Sequence, residues 1–169
     1  MTSRIGVTGH QVLPDDVVPT ITSTFCSVLD AAAAGTVISC LAAGADQLLA
    51  TIAIDHGFGL EVVVPCADYE SSFAREQLPP YHSLLEAAES VTRLGYSAPS
   101  EDAYLAAGQT IVERCELLVA VWDGLPAKGK GGTGDVVEFA RSCGRQVRII
   151  WPTNVPATER EIRRHRPEL

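Results

Sequence analysis

No Cys-x-x-Cys, His-x-His or His-x-x-x-His pair occurs in this sequence, and His10, His56, His82 and His165 are widely scattered, so no metal is expected. No apolar run approaches the ~20 residues that a membrane-spanning helix requires. The N-terminus shows polar residues followed by a strand, without the pattern of a signal peptide, and the expected setting is the cytoplasm with no membrane partner. Positive charge is scarce: 13 Lys and Arg stand against 21 Asp and Glu, for a formal net charge of −8. Such a chain repels a nucleic acid backbone, and it shows neither a broad basic face nor interleaved aromatics. The one basic cluster, Arg160 to Arg166, lies in the C-terminal tail. Internal repeats are also absent. Cys26, Cys40, Cys66, Cys115 and Cys143 form an odd set, mostly in apolar segments, and read as reduced core residues.

What remains is a chain of 169 residues, 46% hydrophobic and 20% charged, suited to one compact domain with an ordinary core. Short apolar runs alternate with longer segments of helical period, which predicts a doubly wound α/β fold of Rossmann-like type. Its sheet is expected to be mostly parallel, with helices on both faces. Residues 1–152 are assigned to this domain and residues 153–169 to a polar tail or helix. Strands are expected at Ile5–Thr8, Val37–Leu41, Leu60–Val64 (stopped by Pro65), Ser90–Leu94, Leu117–Trp122 and Val147–Trp151. The nearly unbroken apolar character of Leu117–Trp122 places that strand at or near the sheet centre. Helical spacing runs from Val18 to Ala32 with Gly35 closing it, and a second helix buries Ala45, Leu48, Leu49, Ile52 and Ala53. Tyr69–Leu78 reads as helical, with Pro79 and Pro80 breaking it before a helix at Tyr81–Glu89. Tyr104, Leu105, Gly108, Ile111, Val112 and Cys115 share one face of a further helix, and Gly144 ends the last one.

The most informative stretch is Val121 to Ala140, VWDGLPAKGKGGTGDVVEFA, where an apolar strand enters a glycine loop and then a helix. Gly129, Gly131, Gly132 and Gly134 allow close backbone approach, and the helix start beyond them offers unpaired N–H groups to an anion. This is a candidate phosphate cradle. Thr133 can cap the helix, and Asp135 and Glu138 lie three residues apart on one helical face. Glu138 is assigned to a sugar or base, because a second acid beside a phosphate would be repulsive. Parallel α/β sheets bind ligands at the carboxyl ends of their strands. Four turns should therefore converge: Thr8-Gly9-His10, Ala43-Gly44-Ala45, Asp123-Gly124 and the cradle.

Each turn has two readings. Thr8 and His10 meet a ligand or are surface polar residues around a turn glycine, and no carboxylate in the sequence is assigned to His10 as a partner. Asp46 hydrogen-bonds ribose or is a first-turn acid favoured by the helix dipole. Asp123 contacts ribose or a base, or bonds its own turn backbone. Lys128 and Lys130 steer an anion or are ordinary loop lysines. Tyr104 stacks on a base or packs in the core.

Three pieces, RIGVTGH, SCLAAGADQLLA and YLAAGQTIVERCELLVAVWDGLPAKGKGGTGDVVEFAR, give the chain a resemblance to the SLOG superfamily of Rossmann-like domains. With the strands between them they cover nearly all of Arg4 to Trp151. The cytokinin-activating branch of that superfamily consists of phosphoribohydrolases with a PGGxGTxxE loop, whose glycines and glutamate match Gly131, Gly132, Gly134 and Glu138. Lys130 stands in place of its proline and Asp135 in place of its threonine. Ala107 falls near the position of that branch's catalytic arginine, and Arg114 is too close to the following strand to replace it. The closer resemblance is to single-domain members with a tyrosine-bearing helix before VWDG and GGTGD after it. It implies a sensor or carrier of a nucleotide or nucleotide-derived molecule, held by Thr8, Gly9, His10, Gly44, Ala45, Asp46, Tyr104, Asp123, Gly124, Gly131, Gly132, Thr133, Gly134 and Glu138. It also implies a homodimer or higher oligomer, and no further cofactor is expected. The alternatives are an N-glycosidase acting on nucleoside monophosphates, with Glu138 catalytic, and an assembly domain whose glycine loop only shapes the backbone.

Overall fold

The first strand, β1 (Ser3–Gly9), is flanked on both sides by later strands, and this position organises everything that follows. In the computed structural model, which describes residues 2–126 and 129–152, the chain runs outward from β1 through α1 (Val18–Ala32), β2 (Gly35–Ser39), α2 (Ala45–Asp55) and β3 (Gly59–Cys66). Two short 3₁₀ turns, Tyr69–Ser72 and Arg75–Gln77, lead to α3 (Leu78–Ala87) and the edge strand β4 (Ser90–Tyr96). After α4 (Glu101–Arg114) the chain returns to the other side of β1 with β5 (Leu117–Val121), then α5 (Thr133–Ser142) and β6 (Gln146–Ile150). The sheet order is β4-β3-β2-β1-β5-β6, and every pairing among the described strands is parallel. The direction of growth reverses between β1 and β5, which opens a crevice at their carboxyl ends.

Side-chain alternation sorts the core onto the two faces of the sheet. Val37, Val62, Val64, Val119 and Val121 pack with residues of α1, α2 and α3. Ile38, Val63, Leu118 and Ala120 pack with Ala107, Ile111 and Val112 of α4 and Val136, Val137 and Ala140 of α5. Strands covered on both faces read as unbroken apolar runs for this reason. No described helix is long and apolar enough to cross a membrane.

Local chemistry shifts several boundaries from those expected. Gly35 opens β2, and α1 ends instead at Ala33, which takes a left-handed φ of 64°. β2 stops at Ser39, because Leu41 turns the chain with a φ of 55°. Pro65 lies inside β3, at the register shift between Val64 and Cys66, where a ladder hydrogen bond is dispensable. Pro79 and Pro80 do not break a helix but start α3, since the first turn has no use for their missing N–H groups. Tyr69–Leu78 is correspondingly not one helix but the two 3₁₀ turns. The expected tail 153–169, with its basic cluster and His165, and the loop residue Lys128 lie outside the described residues.

Candidate ligand cleft at the sheet's switch point

At the carboxyl ends of β1, β2 and β5 lies a cleft of about 470 Å³. The end of β1 contributes Thr8 and Gly9 and the chain after it His10, the chain after β2 contributes Ala42, Ala43 and Asp46, and that after β5 contributes Asp123. The glycine loop closes one rim with Lys130, Gly131, Gly132 and Thr133, while Glu101 and Tyr104 of α4 face it. The turns are locked together through backbone: His10 N–H donates to Val121 O at 3.1 Å, and Ala45 N–H donates to His10 O at 3.0 Å. Gly44 and Ala45 thus hold the first and second turns in register without lining the cleft. Gly9 does so by ending β1 hard against Ala45 and Val121, where a Cβ would come within 2.8 Å of both Cβ atoms.

His10 meets a carboxylate that sequence spacing could not assign. Its Nε2 accepts the Asp123 N–H at 3.1 Å and lies 3.3 Å from Asp123 Oδ1. A neutral ring therefore serves as acceptor to the amide, and a protonated ring has Oδ1 at hand as acceptor. The Asp123 carboxylate also takes the Leu125 N–H at 3.0 Å, the local turn bond expected of an aspartate in this position. Trp151, just beyond β6, stands edge-on to the imidazole with ring centroids 5.4 Å apart. A separation of 113 positions along the chain collapses to one contact because β1 and β5 are neighbours in the sheet.

Asp46 is the larger departure from the surface acid that the helix dipole would favour, for it is only 5% exposed. Burial pushes its carboxyl up to about 7, against hydrogen bonds from Ala42 N–H, the Ser39 hydroxyl and the Cys40 backbone that favour the charged form. The same enclosure raises the Cys40 thiol and the Tyr69 hydroxyl well above their ordinary ranges, with the Asp46 charge adding to each. Tyr69 and Phe73, from the first 3₁₀ turn and its end, also line the cleft. Periodicity placed this segment in a helix and so missed it as a wall.

The glycine loop enters α5 with Gly131 at φ 82° and Gly132 extended as the N-cap residue. No side chain caps the helix; Thr133 is its first residue instead of its cap, because its neighbour Gly132 already occupies the cap position. A Cβ on Gly131 would fall 2.6 Å from Leu105 N, so the loop can pack on α4 only without one. Asp135 Oδ2 accepts the Gly131 N–H at 2.9 Å and fastens the loop from behind. Lys130 lies 3.8 Å from Asp102 at the start of α4. Gly124, Gly134 and Glu138 do not line the cleft; with Trp122, Pro126, Asp135 and Arg141 they line a second recess. Asp135 and Glu138 do share one helical face, as their spacing requires. Among the described residues no group of three or more His, Cys, Asp or Glu side chains is placed to hold a metal ion.

The Asp135 clamp leads to a test in which charge and geometry separate. Asp135→Asn retains an acceptor oxygen and is expected to leave the loop in place, whereas Asp135→Ala is expected to raise hydrogen exchange at Gly131 and in the first turn of α5. Equal exchange in both variants would remove the clamp role.

No protein-family pattern and no curated protein matches the sequence. Solved structures do. DNA processing protein A from Streptococcus pneumoniae aligns with a TM-score of 0.67 at 16% identity, covering 96% of this chain and 56% of its own. DNA processing protein A from Helicobacter pylori, described for its single-stranded DNA binding mode, gives 0.66 at 11% identity, covering 95% and 71%. The molybdenum cofactor carrier protein of Chlamydomonas reinhardtii gives 0.53 at 16% identity, covering 88% and 76%. The chain has the SLOG-type fold. At these identities the likeness is one of fold, and the chain spans little more than half of the S. pneumoniae protein. Within the SLOG-type sheet, the cleft described above occupies the switch point.

Proposed function

We propose that the protein binds a nucleotide or nucleotide-derived small molecule in the switch-point cleft, as a sensor or carrier. The observation that carries this reading is the placement of the glycine loop on the rim of a cleft large enough for such a ligand. The N–H groups of Gly132 and Thr133 and the ammonium of Lys130 face a phosphate, while Thr8, His10 and Asp123 offer polar contacts to a sugar. Tyr104, half-buried on the cleft wall, supplies a ring surface. A long nucleic acid fits less well, because the net charge of −8 opposes a polyanion. The single-stranded DNA binding of the H. pylori protein is a property of that protein. Glu138, on the second recess, is not placed to act on a ligand in the cleft, which favours binding over glycosidic cleavage.

The test is native mass spectrometry of the protein with nucleoside monophosphates, cyclic nucleotides, NAD and ADP-ribose. An intact adduct is expected, and Gly132→Val should weaken it roughly tenfold or more by crowding the phosphate N–H groups. Gly132 has φ −72° and ψ 169°, which valine adopts readily, so the fold should persist. Unchanged affinity would remove the loop from the site, and release of free base would mark turnover instead of carriage. A homodimer belongs to the same proposal and is read from the same spectra.

A further inference from the structure

We propose that Asp46 is the base-recognition group of the cleft, accepting N–H donors from the heterocycle of the bound nucleotide while the glycine loop holds the phosphate. This rests on the reading given under Proposed function and gives the ligand a direction. Asp46 belongs to the first turn of α2 and lines the cleft beside Ala42 and Ala43, whose small side chains leave the approach open. Around the same end stand Tyr69, Phe73 and Tyr104, with ring centroids 5.0 Å apart for Tyr69 and Phe73 and 6.4 Å for Tyr69 and Tyr104. These rings pack edge-on against one another into one aromatic wall, and a planar heterocycle is the ligand part that suits such a wall on a cleft that also carries a buried hydrogen-bonding group.

The polarity of the surroundings decides which kind of group Asp46 receives. Cys40 just after β2, Tyr69 on the 3₁₀ turn and Tyr81 on α3 are acids with raised pKa values, so they bring no positive charge to it. Of the other titratable groups on the cleft lining, Glu101, Asp123 and the Tyr104 phenol are acids, His10 lies against Asp123, and Lys130 lies against Asp102. Among the described residues no ion pair reaches Asp46. A phosphate or carbonyl oxygen placed there would face an acid-rich end. A ring N–H beside an exocyclic amino group, as on guanine, supplies donors to the carboxylate instead.

The linkage has a definite sign. With the carboxyl titrating at about 7 in the free protein, donors from a base favour its charged form, so binding releases a proton and strengthens as pH rises. Calorimetric titration with GMP is expected to show affinity rising about tenfold between about pH 6 and pH 8 beyond any rise for ribose 5-phosphate, which shares the phosphate but lacks the base. Asp46→Asn is expected to abolish that excess, with the native state checked by near-UV circular dichroism. In the unsubstituted protein, the Asp46 carboxyl followed by carbon NMR should titrate at lower pH when GMP is added, a readout that does not depend on the variant folding. Binding of GMP with no excess pH dependence, or an excess that survives in Asp46→Asn, would overturn the base-recognition role while leaving the cleft a nucleotide site. Failure of both GMP and ribose 5-phosphate to bind, with the other nucleotides also silent, would overturn the binding reading itself.

Discussion

Gly44→Ala is expected to cost about 3 kcal/mol or more in denaturant unfolding, among the largest effects of any single methyl group in this chain. Gly44 sits at φ 83° and ψ −121°, a region closed to L side chains, at the N-cap of α2. Space is as restrictive as conformation there, since an added Cβ would lie 2.6 Å from His10 O and press on the Gln11 carbonyl. Those carbonyls cannot retreat freely, because His10 O is the acceptor that ties the first turn to Ala45 N–H. Gly57 is the natural control. It has nearly the same φ, 79°, but nothing within 4 Å of an added Cβ, so Gly57→Ala should lose only about 1 kcal/mol from backbone strain. Equal losses at the two positions would show that backbone conformation alone matters and that the contact between the first and second turns does not.

The second large effect is a pH dependence of stability centred on Asp46. In the unfolded chain its carboxyl titrates near the ordinary aspartate value of 3.8, and in the native protein at about 7. Between those values the native state holds a proton that the unfolded state has lost, so the contribution of Asp46 to stability is greatest below about pH 4 and falls as pH rises to about 7. Above that the contribution is flat, because both states are ionised. The rise from 3.8 to about 7 corresponds to about 4 kcal/mol. Asp46→Asn cannot ionise, so the difference in unfolding free energy between the variant and the unsubstituted protein should move by that amount in the variant's favour between about pH 4 and pH 8. Other titrating groups cancel in the comparison. Parallel stability curves for the two proteins would mean that Asp46 is hydrated or paired in the native state.

Much of the architecture was legible because its causes are local. β-rich apolar runs, helical periodicity and glycine punctuation identified six strands and the helices joining them, and the apolar run at Leu117–Trp122, expected at or near the sheet centre, forms β5 between β1 and the edge strand β6. The local errors share one cause, since each punctuation residue has more than one use. Proline at 79 and 80 starts a helix as readily as it ends one, and Gly35 was claimed for a helix end when it was needed for close passage of β2 beside Ser3.

The site was legible in part, and the boundary is physical. Sequence alone determined which segments are strands and helices, that glycine turns follow the strands, and that the turns after β1 and β5 and the glycine loop bear groups suited to a small ligand. Only tertiary structure decided which of those groups share a space. It set His10 against Asp123 through the β1–β5 pairing, buried Asp46 in a cleft that Tyr69 and Phe73 of the first 3₁₀ turn and its end also line, and turned Gly134 and Glu138 toward a separate recess. Burial and long-range proximity arise from how the sheet orders its strands. Local spacing fixes the face of a helix on which a side chain lies, but only the packed sheet fixes what that face meets.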